Sequence, residues 1–436
     1  MKQLSAAETA FSSVQWLFFI FANTVVVPIS VGMAFDLPSH EIAVILRSSL
    51  IFTGIACMLQ GLIGHKYPLM EGHSGVMWGV VLNLAAAAPA LGMSLTSVGG
   101  GIATGMLLSG AAVLILWALR LLSLIQRIFT PMVMSVYLFL LTFQLILIFF
   151  KGMLTISEDG SLVLPVSLFS ISIAVLVSLL KIKGTPFLSN FSILIGMVAG
   201  WIGYLLLFPS ESEASATSGE SFFILFPFGT PNLNAGIVFI TFLASLMNLS
   251  NTLASVQAAS QLFGESPVEK RVHRSYVLSG MYSIVGALSG LVSYAPFASS
   301  VGFLESTRIF RIRPFLIGGA IMSLLGIVPF LGGILATLPI TVGNAILFTA
   351  YLQLFGTSLK SLQGRVFNSV TIYRLAAPVL VGISIMNMDP RLFTSLPVFV
   401  QPIVSNGFIV GVLVSIVLEK MVNWEKEEEM NQTESA

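Results

Sequence analysis

Two short stretches of this chain interrupt long apolar runs with small, polar and titratable residues. Residues 68–79 read PLMEGHSGVMWG, with Glu71 and His73 near the start, and residues 293–302 read SYAPFASSVG, with Pro296 in the middle. Irregular backbone at membrane depth is tolerated only where it is buried in protein or lines a polar cavity. These two stretches are therefore the first candidates for contact with a polar solute.

A third candidate is a polar patch in an otherwise apolar run. Asn248, Asn251 and Thr252 lie within about one helical turn, so they share part of one helix face. An asparagine amide both donates and accepts hydrogen bonds, which suits the edge of a planar heterocycle, but it does not titrate. Polar packing between helices is the alternative explanation.

Titratable residues inside apolar segments are functional candidates by default because burying them is costly. Glu71 and His73 are the most attractive pair, since a histidine titrates near neutral pH. Our hypothesis is that they carry a coupling proton. The alternative places Glu71 at the cytoplasmic interface, solvated or paired with Lys66, with His73 as a packing residue.

Glu305, Arg47 and Arg308 are the other ionisable residues of interest within or beside apolar runs. Glu305 and Arg308 are three residues apart, a spacing that favours an ion pair on one helix face. Arg47 is a possible counter-charge for a buried acid.

Composition shows which elements must position these residues. The chain has 436 residues, 56% hydrophobic and 9% charged, whereas soluble domains carry about a quarter charged residues. Most of this protein must therefore be solvated by lipid. Apolar runs long enough to span a bilayer are predicted near residues 12–32, 43–64, 68–89, 98–119, 127–149, 162–181, 187–208, 235–258, 274–292, 294–310, 314–335, 337–357, 368–387 and 398–420.

The longest polar stretch, 209–232, separates seven predicted spans from seven. We expect residues 1–208 and 233–420 to be two repeats, 209–232 an extracytoplasmic loop and 421–436 a cytoplasmic tail. Because each half has an odd number of spans, the second runs opposite to the first. The two irregular stretches are third in each half, and paired broken segments point to the binding site of a carrier.

Basic residues predict the orientation, because lysine and arginine concentrate in cytoplasmic loops. With the N-terminus inside, 17 of the 20 basic residues fall at cytoplasmic ends, and only Arg47, Lys151 and Arg391 fall elsewhere. A wrong span count would destroy this pattern. We therefore expect a multi-pass protein of the cell membrane with both termini in the cytoplasm.

Several motifs together resemble the nucleobase/ascorbate transporter family, which includes uracil and xanthine permeases. The similar stretches keep the order and spacing of the family: Gln15 followed by FANTVVVP at 21–28, proline, glycine and serine at 68, 72 and 74, HRS at 273–275, SSVGFLESTR at 299–308 and LPITV at 338–342. The resemblance runs from Gln15 to about residue 360.

The departures from the family concern its chemistry. Trp16 stands where the family has a histidine, and Asn248 stands where it has a carboxylate in the eighth span. Ser299 and Ser300 replace the acid and asparagine of the tenth span. Both residues that usually hold the base and couple to protons are thus neutral in this chain.

The resemblance implies an all-α membrane protein of about 14 segments in two inverted repeats, with short extended stretches in segments 3 and 10. Segments 1–4 and 8–11 would form a core domain, and segments 5–7 and 12–14 a gate domain. It also implies a purine or pyrimidine substrate, alternating access, a coupling proton or sodium ion, and a homodimer. The expected substrate-binding residues are Asn248, Asn251, Thr252, His73, Ser74, Gly75, Phe297, Ala298, Ser299 and Ser300.

Other classes of protein are less well supported by the sequence. A sulfate-type anion carrier shares the inverted plan and is the main alternative. An intramembrane enzyme is remote, because the spans contain no nucleophile, zinc or aspartate-rich magnesium motif. With one cysteine and four histidines, we expect no metal and no cofactor, and Cys57 is predicted to be a small buried apolar residue. The net charge of +1 argues against a nucleic-acid partner.

Overall fold

The computed structural model describes residues 5–121, 130–157, 159–185, 188–189, 191–208, 223–265, 269–308, 310–328, 338–360, 362, 368–397, 399–422 and 424. Within these ranges the chain is almost entirely helical, with two three-residue strands. Side-chain caps start many of the helices. Ser5 and Glu8 form a reciprocal capping box on the first helix, and Ser74 caps the helix that follows the first strand, so helix N-termini keep their amides satisfied.

The described residues before the long polar stretch form eight helices and one strand. They are α1 (Ala6–Ala22), α2 (Val26–Ala34), α3 (Ser39–Leu62), strand β1 (Glu71–His73), α4 (Gly75–Ala87), α5 (Leu95–Ala118), α6 (Pro131–Met153), α7 (Leu164–Lys183) and α8 (Ser192–Leu207).

The second half repeats this plan with a strand at the corresponding place. Its elements are α9 (Ala235–Leu262), α10 (Glu269–Ser289), strand β2 (Tyr294–Pro296), α11 (Ser299–Thr307), α12 (Ile312–Ile327), α13 (Ile340–Lys360), α14 (Ser369–Met386), a 3₁₀ turn (Pro390–Phe393), α15 (Gln401–Val404) and α16 (Gly407–Met421).

A described helix or strand lies in each of the fourteen predicted spans. Among the described residues, seven helical stretches are long and apolar enough to cross a membrane, and shorter apolar helices lie in four of the other predicted spans. The first span differs in detail, because α1 and α2 are separated at residues 23–25. There Asn23 Nδ2 and Thr24 Oγ1 donate to backbone carbonyls one turn earlier, at 2.8 and 2.7 Å. Such bonds compete with the regular helix ladder.

The two strands pair with each other although more than two hundred residues separate them. β1 and β2 are antiparallel, with Glu71 opposite Pro296, Gly72 opposite Ala295 and His73 opposite Tyr294. The ladder continues at both ends, where backbone N–H groups donate from 297 to 70 and from 74 to 293. An extended backbone survives in lipid only when its polar groups are paired in this way.

The helices form two packed groups. One group contains α1–α5 and α9–α12, in which α3 packs on α12, α5 on α9 and α10, and α1 on α12. The other contains α6–α8 and α13–α16, in which α6 packs on α13 and α16, and α14 on α16. We call them the strand-bearing group and the second group. They touch through α2 and α4, which contact α13 and α6, and through α1 and α9, which contact α8 and α15.

Candidate functional site

The strand pair brings together the starts of two short helices. α4 begins directly after β1, and α11 begins three residues after β2. Because the strands are antiparallel, the two helices leave the pair in opposite directions. Each N-terminus presents backbone N–H groups and the positive end of a helix dipole to the same region. This geometry attracts an electronegative or anionic group.

Helix α9 braces the outer edge of β2 with small polar side chains. Asn248 Nδ2 donates to the Tyr294 carbonyl at 2.8 Å, and Ser255 Oγ donates to the Pro296 carbonyl at 2.9 Å. One turn before Asn248, Ser245 Oγ lies 2.8 Å from the hydroxyl of Ser293. These bonds replace the strand that would otherwise pair with this edge.

Two atoms on this face of α9 keep unused hydrogen-bonding capacity. Oδ1 of Asn248 and Oγ1 of Thr252 are buried and have no hydrogen-bond partner among the described residues. A buried acceptor without a partner is costly, and the two residues lie one turn apart on a helix that already contacts the strand pair. They are therefore candidates for hydrogen bonds to a bound heterocycle.

Helix α3 braces the other edge of the pair. Sγ of Cys57 lies 3.3 to 3.4 Å from the backbone nitrogen and oxygen of Glu71. Ser49 Oγ lies 2.7 Å from His73 Nε2, and Thr53 Oγ1 lies 3.0 Å from the Tyr294 hydroxyl. Cys57 is fully buried, as predicted, and its sulfur also supports the strand.

The two faces of the strand pair differ. Successive strand residues point to opposite faces, so Glu71 and His73 face α3 together, whereas a Cβ on Gly72 would meet the Phe297 ring at 3.2 Å. Beyond this second face lies the second helix group, since a Cβ on Gly75 would lie 3.1 Å from the Tyr351 hydroxyl. The boundary between the strand pair and α13 is therefore the candidate binding site.

The remaining predicted site residues fall into two sets. Ser74 and Ser300 are buried and have structural bonds: Ser74 Oγ accepts from the Met77 amide, and Ser300 Oγ accepts the Met70 amide at 3.0 Å. Ser299 and its neighbour at 298 are exposed on α11. Asn251 and Phe297 are half-buried. Substrate contact by any of these residues stays a prediction.

The titratable residues differ in burial. Glu71 and His73 are at most 1% exposed. Glu71 is therefore not solvated at the interface, and the exposed Lys66 forms no ion pair with it. The prediction of an ion pair between Glu305 and Arg308 is wrong. Both side chains are exposed without contact, because Arg308 ends α11 in a left-handed conformation with φ of 58°.

Some site residues were not identified from sequence. On α9, Ser245 and Ser255 extend the face of Asn248 and Thr252 at helical spacing, a signal that the sequence carried. Tyr351 was not identified as a site residue, because nothing in the sequence pairs its helix with the strand pair. Trp16, the residue in place of the family histidine, packs its ring 4.7 Å from Phe303 and 4.9 Å from Phe315.

Comparison with known proteins agrees with the motifs. A family model for xanthine and uracil permeases, described as "Permease family", matches residues 7–390. The chain belongs to this family. The putative purine permease YwdJ of Bacillus subtilis is 28% identical over 96% of this chain and 97% of that protein. The uric acid permease PucJ of Bacillus subtilis is 24% identical, covering 93% and 90%. The xanthine permease XanP of Escherichia coli (strain K12) is 22% identical, covering 96% and 93%.

Solved structures agree with the fold at low sequence identity. The transmembrane domain of the cyanobacterial bicarbonate transporter BicA superposes with a TM-score of 0.62 at 13% identity, over 94% of this chain and 96% of that one. SLC26A9 also gives a TM-score of 0.62 at 13% identity, over 96% of this chain and 67% of that one. The permease is thus an all-α membrane protein of two inverted seven-segment repeats, with extended stretches in segments 3 and 10.

Proposed function

We propose that this permease is a secondary active transporter for a purine-type nucleobase and that it works by alternating access. The relatives named above are purine, uric acid and xanthine permeases. The observation that carries the proposal is the pair of unpartnered oxygens of Asn248 and Thr252 beside a strand pair from which two helix N-termini diverge. Acceptors and amide donors together match the N–H and C=O edges of a purine.

The substrate would lie between the strand pair and α13, with the Phe297 and Tyr351 rings near it. Aromatic rings pack well against planar heterocycles. The strand-bearing group would act as the core and the second group as the gate, with one moving against the other around the base.

The proposed orientation assigns a side to each half-helix. With both termini in the cytoplasm, α4 forms the outer half of segment 3 and α11 the inner half of segment 10. α4 is almost fully buried, whereas α11 exposes Ala298, Ser299 and Gly302. This difference supports an inward-open state of the transporter. The coupling ion and the homodimer implied by the family stay predictions, and we propose a proton as the ion.

A ligand screen on the purified protein tests the substrate class. We expect saturable thermal stabilisation by at least one purine from a panel of nucleobases and small inorganic anions that includes sulfate and bicarbonate. Asn248→Leu should abolish this stabilisation. Gln401→Leu is the matched control, because it also removes buried amide-to-carbonyl bonds (3.1 and 2.8 Å, to residues 394 and 396), on α15, which carries none of the proposed site residues. Stabilisation by anions alone would favour the anion-carrier alternative.

A further inference from the structure

Among the described residues, two carboxyl groups within the membrane helices and strands are little exposed, and their surroundings differ. The Glu419 side chain is 6% exposed and receives two hydrogen bonds from the Arg374 guanidinium and one from the Thr130 hydroxyl, the last at 3.1 Å. Glu71 is fully buried, and among the described residues neither of its oxygens forms a hydrogen bond of ordinary geometry; the polar group that approaches it is the neutral amide of Gln60. A buried carboxylate that stays ionised needs a positive partner and hydrogen-bond donors, as Glu419 has.

The groups that face Glu71 offer it no positive charge. They are Cys57 and the neutral amide of Gln60 on α3, Tyr282 on α10 and Tyr294 on β2. Among these groups there is no lysine or arginine. His73 lies two residues along the same strand, but its Nε2 already bonds to a serine hydroxyl.

The arginine of α3, the helix packed against Glu71, is also far from the Glu71 carboxyl. Arg47 precedes Cys57 by ten residues, which is about 15 Å along a helix axis, and its Nε donates to the carbonyl of residue 326. An isolated ionised carboxyl in such surroundings is strongly disfavoured relative to its protonated form.

We propose that Glu71 is the proton-carrying residue of this permease and that it is protonated in the state described here, on the face of the strand pair opposite the substrate. This inference rests on the proposed transport function. Proton binding at Glu71 would be coupled to substrate binding through the strand pair, because one layer of strands separates the Glu71 carboxyl from the substrate. The proton is released to water when, in addition to the movement of the two groups, a shift of the strand pair within the strand-bearing group hydrates the carboxyl. His73 is a positioning residue, held by Ser49 and the Tyr294 ring, which lies 4.9 Å away.

The location makes a specific prediction for Glu71→Gln. Glutamine imitates the protonated acid in shape and charge, so purine affinity at pH 7 should stay within about threefold of the wild type. Uptake into proteoliposomes should no longer be stimulated by an inwardly directed proton gradient, while exchange of labelled for unlabelled purine continues. Glu305→Gln, on the exposed face of α11, is the control and should keep the stimulation. Stimulation that persists in Glu71→Gln would overturn the proposal.

An infrared measurement tests the protonation state without any substrate. The wild-type protein at pH 7 should show the carbonyl band of a protonated carboxylic acid that is missing from Glu71→Gln, and His73→Gln should retain it. Absence of this band in the wild type would overturn the proposal even if purine transport is established. Presence of the band in a protein that binds no purine would instead contradict the transport function and leave Glu71 as a protonated structural acid.

Discussion

Segments 3 and 10 have the same backbone plan but different surroundings. Each contains a three-residue strand followed by a short helix, and the strands pair directly. α4 is packed against the second helix group, where Gln144 Nε2 donates to the Gly79 carbonyl at 2.8 Å and Asn406 Nδ2 donates to Asn83 Oδ1 at 3.1 Å. α11 has an open face, since a Cβ on Gly302 would meet nothing within 4 Å.

The chemistry of the two segments also differs. In the tenth segment, where the family resemblance implies an acid, the chain has Ser299, which is exposed. In the third segment it has Glu71, buried behind the strand. The comparison teaches that an inverted repeat preserves the strand and the half-helix, whereas the titratable group can stand in either repeat. It also shows which half-helix is sealed in this state.

The largest expected effect comes from filling the open face of α11. Gly302→Leu should leave the melting temperature within a few degrees of the wild type, because a Cβ at this exposed position meets no atom within 4 Å in this state. Purine uptake should fall by about a hundredfold, because α11 must pack when the transporter opens outward and overpacking opposes that packing. Thermal-shift and uptake assays measure the two effects. Normal uptake would mean that this face never closes.

Variants of the adjacent residues Ser299 and Ser300 distinguish a structural role from a role in substrate contact. Ser300→Ala leaves the Met70 amide without its acceptor, so the free energy of unfolding should fall by about 1–3 kcal/mol. Ser299→Ala, at an exposed position, should change stability by less than about 0.5 kcal/mol. Thermal unfolding of the two variants makes this comparison. Equal destabilisation would contradict the described difference between the serines.

The contacts that seal α4 should control the conformational equilibrium. Gln144→Leu removes the hydrogen bond to the Gly79 carbonyl, a net loss of about 1 kcal/mol, so the outward-open population should rise about fivefold. The native Cys57 is buried, so a cysteine introduced at Gly75 reports outward opening by its labelling rate. Unchanged labelling in Gln144→Leu would show that this bond does not seal the outer side.

The smallest effect lies outside the membrane segments and should leave transport unaltered. The Tyr67 hydroxyl, which donates to Glu265 at 2.8 Å, and the nearby Arg271 lower the pKa of the Glu265 carboxyl. A lowered pKa in the folded state stabilises the protein above the unfolded pKa, and this contribution is lost as pH falls through the folded value.

Because Glu265 is 43% exposed, the contribution is at most about 1 kcal/mol. The melting temperature of Glu265→Gln should be slightly below that of the wild type at pH 7, and the difference should vanish at pH 3. A difference that grows toward acid pH would contradict the assigned direction of the pKa shift.

Much of the fold could be predicted because lipid imposes strong rules on sequence. Apolar length predicted the places of the helices, and Pro296 with its small neighbours marked the second strand. The two stretches were expected to meet because each is third in its half, but the register between residues 71–73 and 294–296 could not be predicted, since the sequence carries no signal for it.

Side-chain direction was the other limit in predicting the site. Ser299 and Ser300 are adjacent and identical, yet one is exposed and the other accepts a backbone amide from segment 3. The position of the first turn of α11 relative to β1 determines which of the two serines meets the backbone of segment 3. The burial of Glu71 likewise depends on strand alternation, which a stretch expected to be irregular does not reveal.

The central claim is that the strand pair and the unpartnered oxygens of Asn248 and Thr252 hold the substrate. A cryo-electron microscopy map of the protein in lipid nanodiscs with a saturating purine tests it most directly. We predict density for the base between the strand pair and Tyr351, within hydrogen-bond distance of Asn248, with Glu71 on the opposite face of β1. Base density elsewhere, or segments 3 and 10 as continuous helices, would contradict the account.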